Sequence, residues 1–362
     1  MLGQPIHSGV PTSVRTRSVS PAVTTPIRET TRTTVGVVLA TGVALLCAVA
    51  VLGVVVGSTP IGPGTAIGAL LSFDPADHDQ LIARYSRWPR VLGAIAVGAS
   101  TGAAGAVMQA VTRNPLADPG ILGVNAGASL FVVAGIQLLG IGGISGYLPL
   151  AFAGAAVASV AVYLIGAAGR DGPTPVTLTL AGAAFALLLG SLTSALLLID
   201  QDTRYSFLFW TVGSVAQPTF DPLLTVLPFL VAGLLLALAL GGPLNVMALG
   251  EQLASALGLH TGVVRALAAI AVVLLCGGAT ALAGPIGFVG LIVPFVARLF
   301  TGPDHRWIVP LSAVLGGILV VLADLLGRTL FAPAELRVGV VTALIGAPVF
   351  ILLARRRRVA AL

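Results

Sequence analysis

Residues 35–57 read VGVVLATGVALLCAVAVLGVVVG, from Val35 to Gly57, without one charged side chain. A helix crossing the hydrocarbon core of a bilayer needs roughly 20 apolar residues, and this stretch supplies them with nothing that lipid would penalise. The rest of the chain has the same character. Of 362 residues, 57% are hydrophobic and 9% charged, with a mean hydropathy of +1.04. A soluble domain carries roughly a quarter charged residues, so this chain lacks the charge to coat a water-facing surface, and its solvent is mostly lipid. The 45 glycines fit that reading, because small residues let helices approach closely where packing drives association.

The same rule predicts ten spans, near 35–57, 90–110, 121–139, 148–168, 176–199, 222–241, 264–283, 286–299, 307–326 and 337–354. The eighth is short and carries Pro294. The expected fold class is therefore an all-α membrane protein of about ten transmembrane helices. Ten crossings put both termini on one side. With the ends cytoplasmic, the inside holds Arg15, Arg17, Arg28, Arg32, Arg113, Arg170, Arg265, Arg298, Arg306 and the four arginines at 355–358, thirteen in all. The outside holds six: Arg84, Arg87, Arg90, Arg204, Arg328 and Arg337. Cytoplasmic loops carry the excess of basic residues, which sets both termini in the cytoplasm. Residues 1–33, rich in Ser, Thr, Pro and Arg, read as a disordered tail. Residues 34–354 form one ten-helix domain with a cytoplasmic loop at 242–262, and 355–362 form a basic tail. RVLGAIAV at 90–97 and RALAAIAV at 265–272 open the second and seventh spans in opposite directions. The match fits either an inverted repeat of spans 2–5 and 7–10 or a chance likeness of two Ala-rich helices.

Several function classes fall away. All nineteen basic residues are arginine, so no P-loop lysine can sit on nucleotide phosphates and no Schiff base can form. The arginines fall at helix ends rather than along one face, which speaks for membrane topology and against nucleic acid. Cys47 and Cys276 sit in apolar runs and read as small hydrophobes. His7, His78, His260 and His305 all lie in tails or loops, so neither a metal site nor a nucleophile–base pair is expected within the membrane. An ion-coupled secondary transporter would keep ionisable relays in its spans. The one acid in a predicted span is Asp324, four residues before Arg328, and a local pair at helical spacing accounts for it.

Three segments are more specific. Arg87-Trp88-Pro89-Arg90 precedes a Gly/Ala-rich helix, and Asn114, Pro115, Asp118 and Pro119 then mark a tight turn between spans two and three. In the loop after span six, Gly250 and Gly258 bracket about two helical turns. Glu251 sits at their positive N-terminal end, and Ala254 and Gly258 form a small face beside apolar residues, which suits either a protein groove or an ordinary interfacial helix between spans. The third segment is GPIGFVGLIVP at 284–294, followed by Asp324, Arg328 and GVVTALIGAPVF at 339–350.

In order and spacing these segments resemble the FecCD-type permeases of ABC importers for iron chelates, haem and cobalamin, over roughly residues 35–354. The resemblance implies a multi-pass subunit of the plasma (inner) membrane that pairs with a second permease copy or relative and encloses a path between the two. It implies a separate cytoplasmic ABC ATPase dimer carrying the ATP and Mg, so that this chain is no enzyme and binds no cofactor or metal itself. It also implies an extracytoplasmic substrate-binding protein. Gly250, Glu251, Ala254, Leu257 and Gly258 match the helix that couples to the ATPase. Arg87, Arg90 and Arg328 match rim arginines that meet acids on the binding protein. The expected cargo is an iron–siderophore complex, with haem or cobalamin as alternatives. Arg337 stands where such permeases usually carry Pro.

Overall fold

A computed structural model describes residues 32–57, 60–141, 144–168, 174–216, 219–330 and 334–355. Most of both predicted tails lies outside the described residues. Among these residues there are helices and no strand, as lipid demands of a chain whose backbone groups must pair within their own segment. The apolar helices are α1 (Arg32–Val55), α2 (His78–Thr112), α3 (Val124–Leu139), α4 (Ile144–Ala167) and α5 (Pro175–Leu197). They continue with α6 (Asp221–Ala239), α7 (Thr261–Ala283), α8 (Val289–Thr301), α9 (His305–Thr329) and α10 (Val338–Arg355). Seven are long and apolar enough to cross a membrane, and α3, α8 and α10 are shorter apolar helices at three further expected places.

The limits differ from expectation where local chemistry intervenes. α2 begins at His78, not near residue 90, because a π turn at Ala83–Arg87 joins the loop helix to the span. This widened turn ends two residues before Pro89, which has no N–H to donate to a regular helical bond. Loop stretches also hold short helices, Pro63–Leu71 and Gln201–Thr211 outside the spans and Gly241–Ala248 after α6.

The core is the pairing of α2 with α9, and glycine makes it possible. A Cβ on Gly98 would lie 2.2 Å from the Gly316 carbonyl oxygen, and one on Gly102 would lie 2.3 Å from that of Ser312. Gly105 meets Gly290 at the start of α8 just as closely. No larger residue fits such backbone contact. Contacts at 98 with 316, 102 with 312 and Arg90 with Asp324 run the two helices antiparallel. α1 runs parallel to α9, with Gly42 beside Val314 and Gly53 beside Val321. The end of the bundle bearing Arg90 and Asp324 is therefore opposite the end bearing Arg113 and the start of α9.

Candidate functional site

At the first end, the Arg87–Arg90 motif ties three helices together. Arg87 Nη1 donates to the carbonyls of Val54 (2.7 Å) and Val55 (3.0 Å), which close α1. Trp88 Nε1 donates to Ala66 O at 2.9 Å, pinning the helix Pro63–Leu71. Arg90 holds Asp324 of α9 through Nε and Nη2 at 2.9–3.0 Å and reaches Glu335 at 2.9 Å. Arg328 donates to Gly53 O and lies 3.8 Å from Asp324. The local Asp324–Arg328 pair expected from spacing is thus the weaker contact, and the strong partner of Asp324 is Arg90 on another helix. Only Glu335 reaches far into solvent, with 52% of its side chain exposed against 15% for Arg90 and 6% for Asp324. All three arginines expected to meet a binding protein make bonds inside the chain.

The opposite end carries the loop after α6. Gly250 (φ +110°) and Gly258 (φ +82°) adopt backbone angles that suit glycine and bracket the helix Glu251–Ala256. Glu251 takes two hydrogen bonds from Arg265, each 3.0 Å, which hold its carboxyl below the usual glutamate range. This pair ties the short helix to α7. Ala254 is fully buried, so it packs against the chain rather than forming an outward small face. The outward surface is made instead by Leu249, Leu253 and Leu257, at 59%, 50% and 61% exposure. Shallow grooves flank it, one lined by Gln252 and Ala256 and the other by Ser255, Leu259 and Val263.

Past Arg113, Asn114 Oδ1 accepts from Leu116 N (3.0 Å) and Asp118 Oδ1 from Gly120 N (2.8 Å), folding the turn after α2. A Cβ on Gly290 would lie 2.9 Å from Pro119, so Gly290 lets the start of α8 seat against this turn. Sequence reasoning gave no role to Gln109, whose Nε2 donates to the Gly290 and Leu291 carbonyls at 3.3 and 3.1 Å. It counted Arg265 as a topological charge and as the start of the repeat segment, not as the partner of Glu251. A polar residue inside a Gly/Ala-rich span was the available signal for Gln109.

The sequence profile of the FecCD transport family matches residues 45–356. The chain is 42% identical to the Fe(3+)-citrate import system permease protein YfmD of Bacillus subtilis, covering 85% of this chain and 91% of that one. It is also 42% identical to the ferric enterobactin transport system permease protein FepD of Escherichia coli, covering 86% and 93%. Among solved structures, a metal-chelate type ABC transporter in an inward-facing conformation aligns with a TM-score of 0.78 at 28% identity, over 88% of this chain and 99% of that one. With apolar helices throughout, this is a multi-pass protein of the plasma membrane and a permease of an ABC importer. The chain belongs to the FecCD transport family.

Proposed function

We propose that this chain is one half of the translocation path for a ferric siderophore complex, moved into the cytoplasm by ATP hydrolysed on a separate ABC ATPase pair. The observation that carries this reading is the short helix Glu251–Ala256, whose backbone is anchored by Glu251–Arg265 while Leu253 and Leu257 remain exposed. A rigid support with unpartnered apolar side chains is what a helix needs to seat in a groove of another protein. ATP and Mg then belong to the partner, and a second permease subunit, a copy or a relative, completes the path. A substrate-binding protein docks at the arginine end. The exposed Glu335 and the outer edge of Arg90 offer it charge, while Arg87 and Arg328 form the fixed floor below. Two relatives named for ferric citrate and ferric enterobactin favour a ferric chelate as cargo.

The test is uptake by cells that depend on this chain. A 55Fe-labelled siderophore should accumulate only with the intact chain, and labelled cobalamin should not compete. Accumulation of cobalamin with no effect on 55Fe would overturn the cargo, leaving the transport class in place.

A further inference from the structure

One side-chain cluster at the loop end ties the helix before Gly250 to the start of α9, which runs on to the other end. Asn245 stands on the helix Gly241–Ala248, five residues before Gly250. Its Oδ1 accepts from His305 N at 2.8 Å and lies 2.9 Å from His305 Nδ1, while its Nδ2 donates to Asp304 Oδ1 at 2.5 Å. Asp304 in turn caps α9 by accepting from Arg306 N at 3.0 Å. The two backbones are close here, for a Cβ on Gly241 would lie 2.9 Å from Arg306 Cα. Burial of Leu244 and Met247 already packs this helix, so the polar bonds add direction, which apolar contact lacks. From Asp304, α9 runs twenty residues to Asp324, about 30 Å at 1.5 Å per residue. Glycine contacts with α2 stiffen it along that length.

We propose that Asn245 is a positioning residue that passes displacement of the helix Glu251–Ala256 to α9, and through α9 to the Arg90–Asp324–Glu335 network. This rests on the reading that an ATPase pushes at residues 250–258. Asn supplies an acceptor for α9's first-turn N–H and a donor for its capping carboxylate on one side chain. Aspartate in its place would face Asp304 with like charge. The pair Asn245→Asp with Asp304→Asn restores the arrangement with roles reversed. The amide introduced at position 304 can donate through its Nδ2 to the new carboxylate, and its Oδ1 can still cap α9.

The experiment uses the full permease–ATPase complex in nanodiscs, with Cys47 and Cys276 replaced by serine, Leu330→Cys spin-labelled on this chain, and the matching position labelled on its permease partner, copy or relative. Leu330 closes α9 at the arginine end and is exposed. Adding ATP with vanadate should shift the interspin distance when Asn245 is intact. Asn245→Asp should lose the shift while the complex is still recovered, and the double variant should regain it. An unchanged shift in Asn245→Asp, no rescue in the double variant, or no shift with Asn245 intact would each overturn the proposal and leave the function reading standing. Failure of the unsubstituted chain to hold the ATPase would overturn both.

Discussion

The two ends of the bundle invert what their sequences advertise. The arginine end is rich in charge, yet Arg87, Arg90 and Arg328 turn their donors onto α1 carbonyls and the carboxylates of Asp324 and Glu335. The loop end carries more of the chain's arginines, yet what it leaves unpartnered is leucine, on a helix held by one bidentate ion pair. Arginine has five donors and no acceptor. Near lipid, the nearest fitting acceptors are the orphan carbonyls that close a helix, so a basic motif at a span's edge can be a staple first. Docking surface is marked by what remains unsatisfied after the fold has formed.

That contrast breaks most visibly at Asp324. Asp324→Ala leaves Arg90 and Arg328 without their shared buried carboxylate, a loss of about 3–5 kcal/mol. The melting temperature in detergent should fall sharply while each folded chain still binds ATPase. A stable Asp324→Ala chain that loses only binding-protein docking would make the buried Asp324–arginine network the docking contact itself rather than the staple beneath it. Next comes Leu253→Asp with Leu257→Asp. Interface anchors of this kind carry about 2 kcal/mol or more, so 55Fe uptake should fall by roughly thirtyfold or more with an unchanged melting temperature. Ala254→Leu, by contrast, should lower local stability, because Ala254 is buried within the chain.

Smaller effects sharpen the same line. Glu335→Gln loses a half-exposed pair with Arg90, which costs no more than about 1 kcal/mol, and its melting curve should nearly overlay the parent. Glu251 gives the smallest effect. Its carboxyl is held below the ordinary glutamate range by the Arg265 bonds, so the pair is complete at and above that range and opens only as pH falls below it. Amide exchange at residues 253–259 should rise in that acid window. Glu251→Gln should remove the pH dependence.

Much of this was legible in the residues. Apolar length placed seven helices long enough to cross a bilayer and three shorter apolar ones among the described residues, because spanning is a requirement on one short window at a time. The glycine bracket at 250 and 258 was readable because positive φ is a local property. Pairings across the fold were not. Asp324 has a tempting neighbour four residues on, and nothing in the chain says that Arg90, 234 residues away, will take it. The same limit hid the inward turn of Ala254, which depends on how the short helix rolls against α7. Asn245 and Asp304 are ordinary loop residues until the fold brings them together.

A photo-crosslinking amino acid placed at Leu257, and separately at Leu330 at the opposite end, tests the central claim most directly in cells expressing the whole importer. The account predicts a covalent adduct with the ABC ATPase from Leu257 and none from Leu330. An ATPase adduct from Leu330 with none from Leu257 would contradict it.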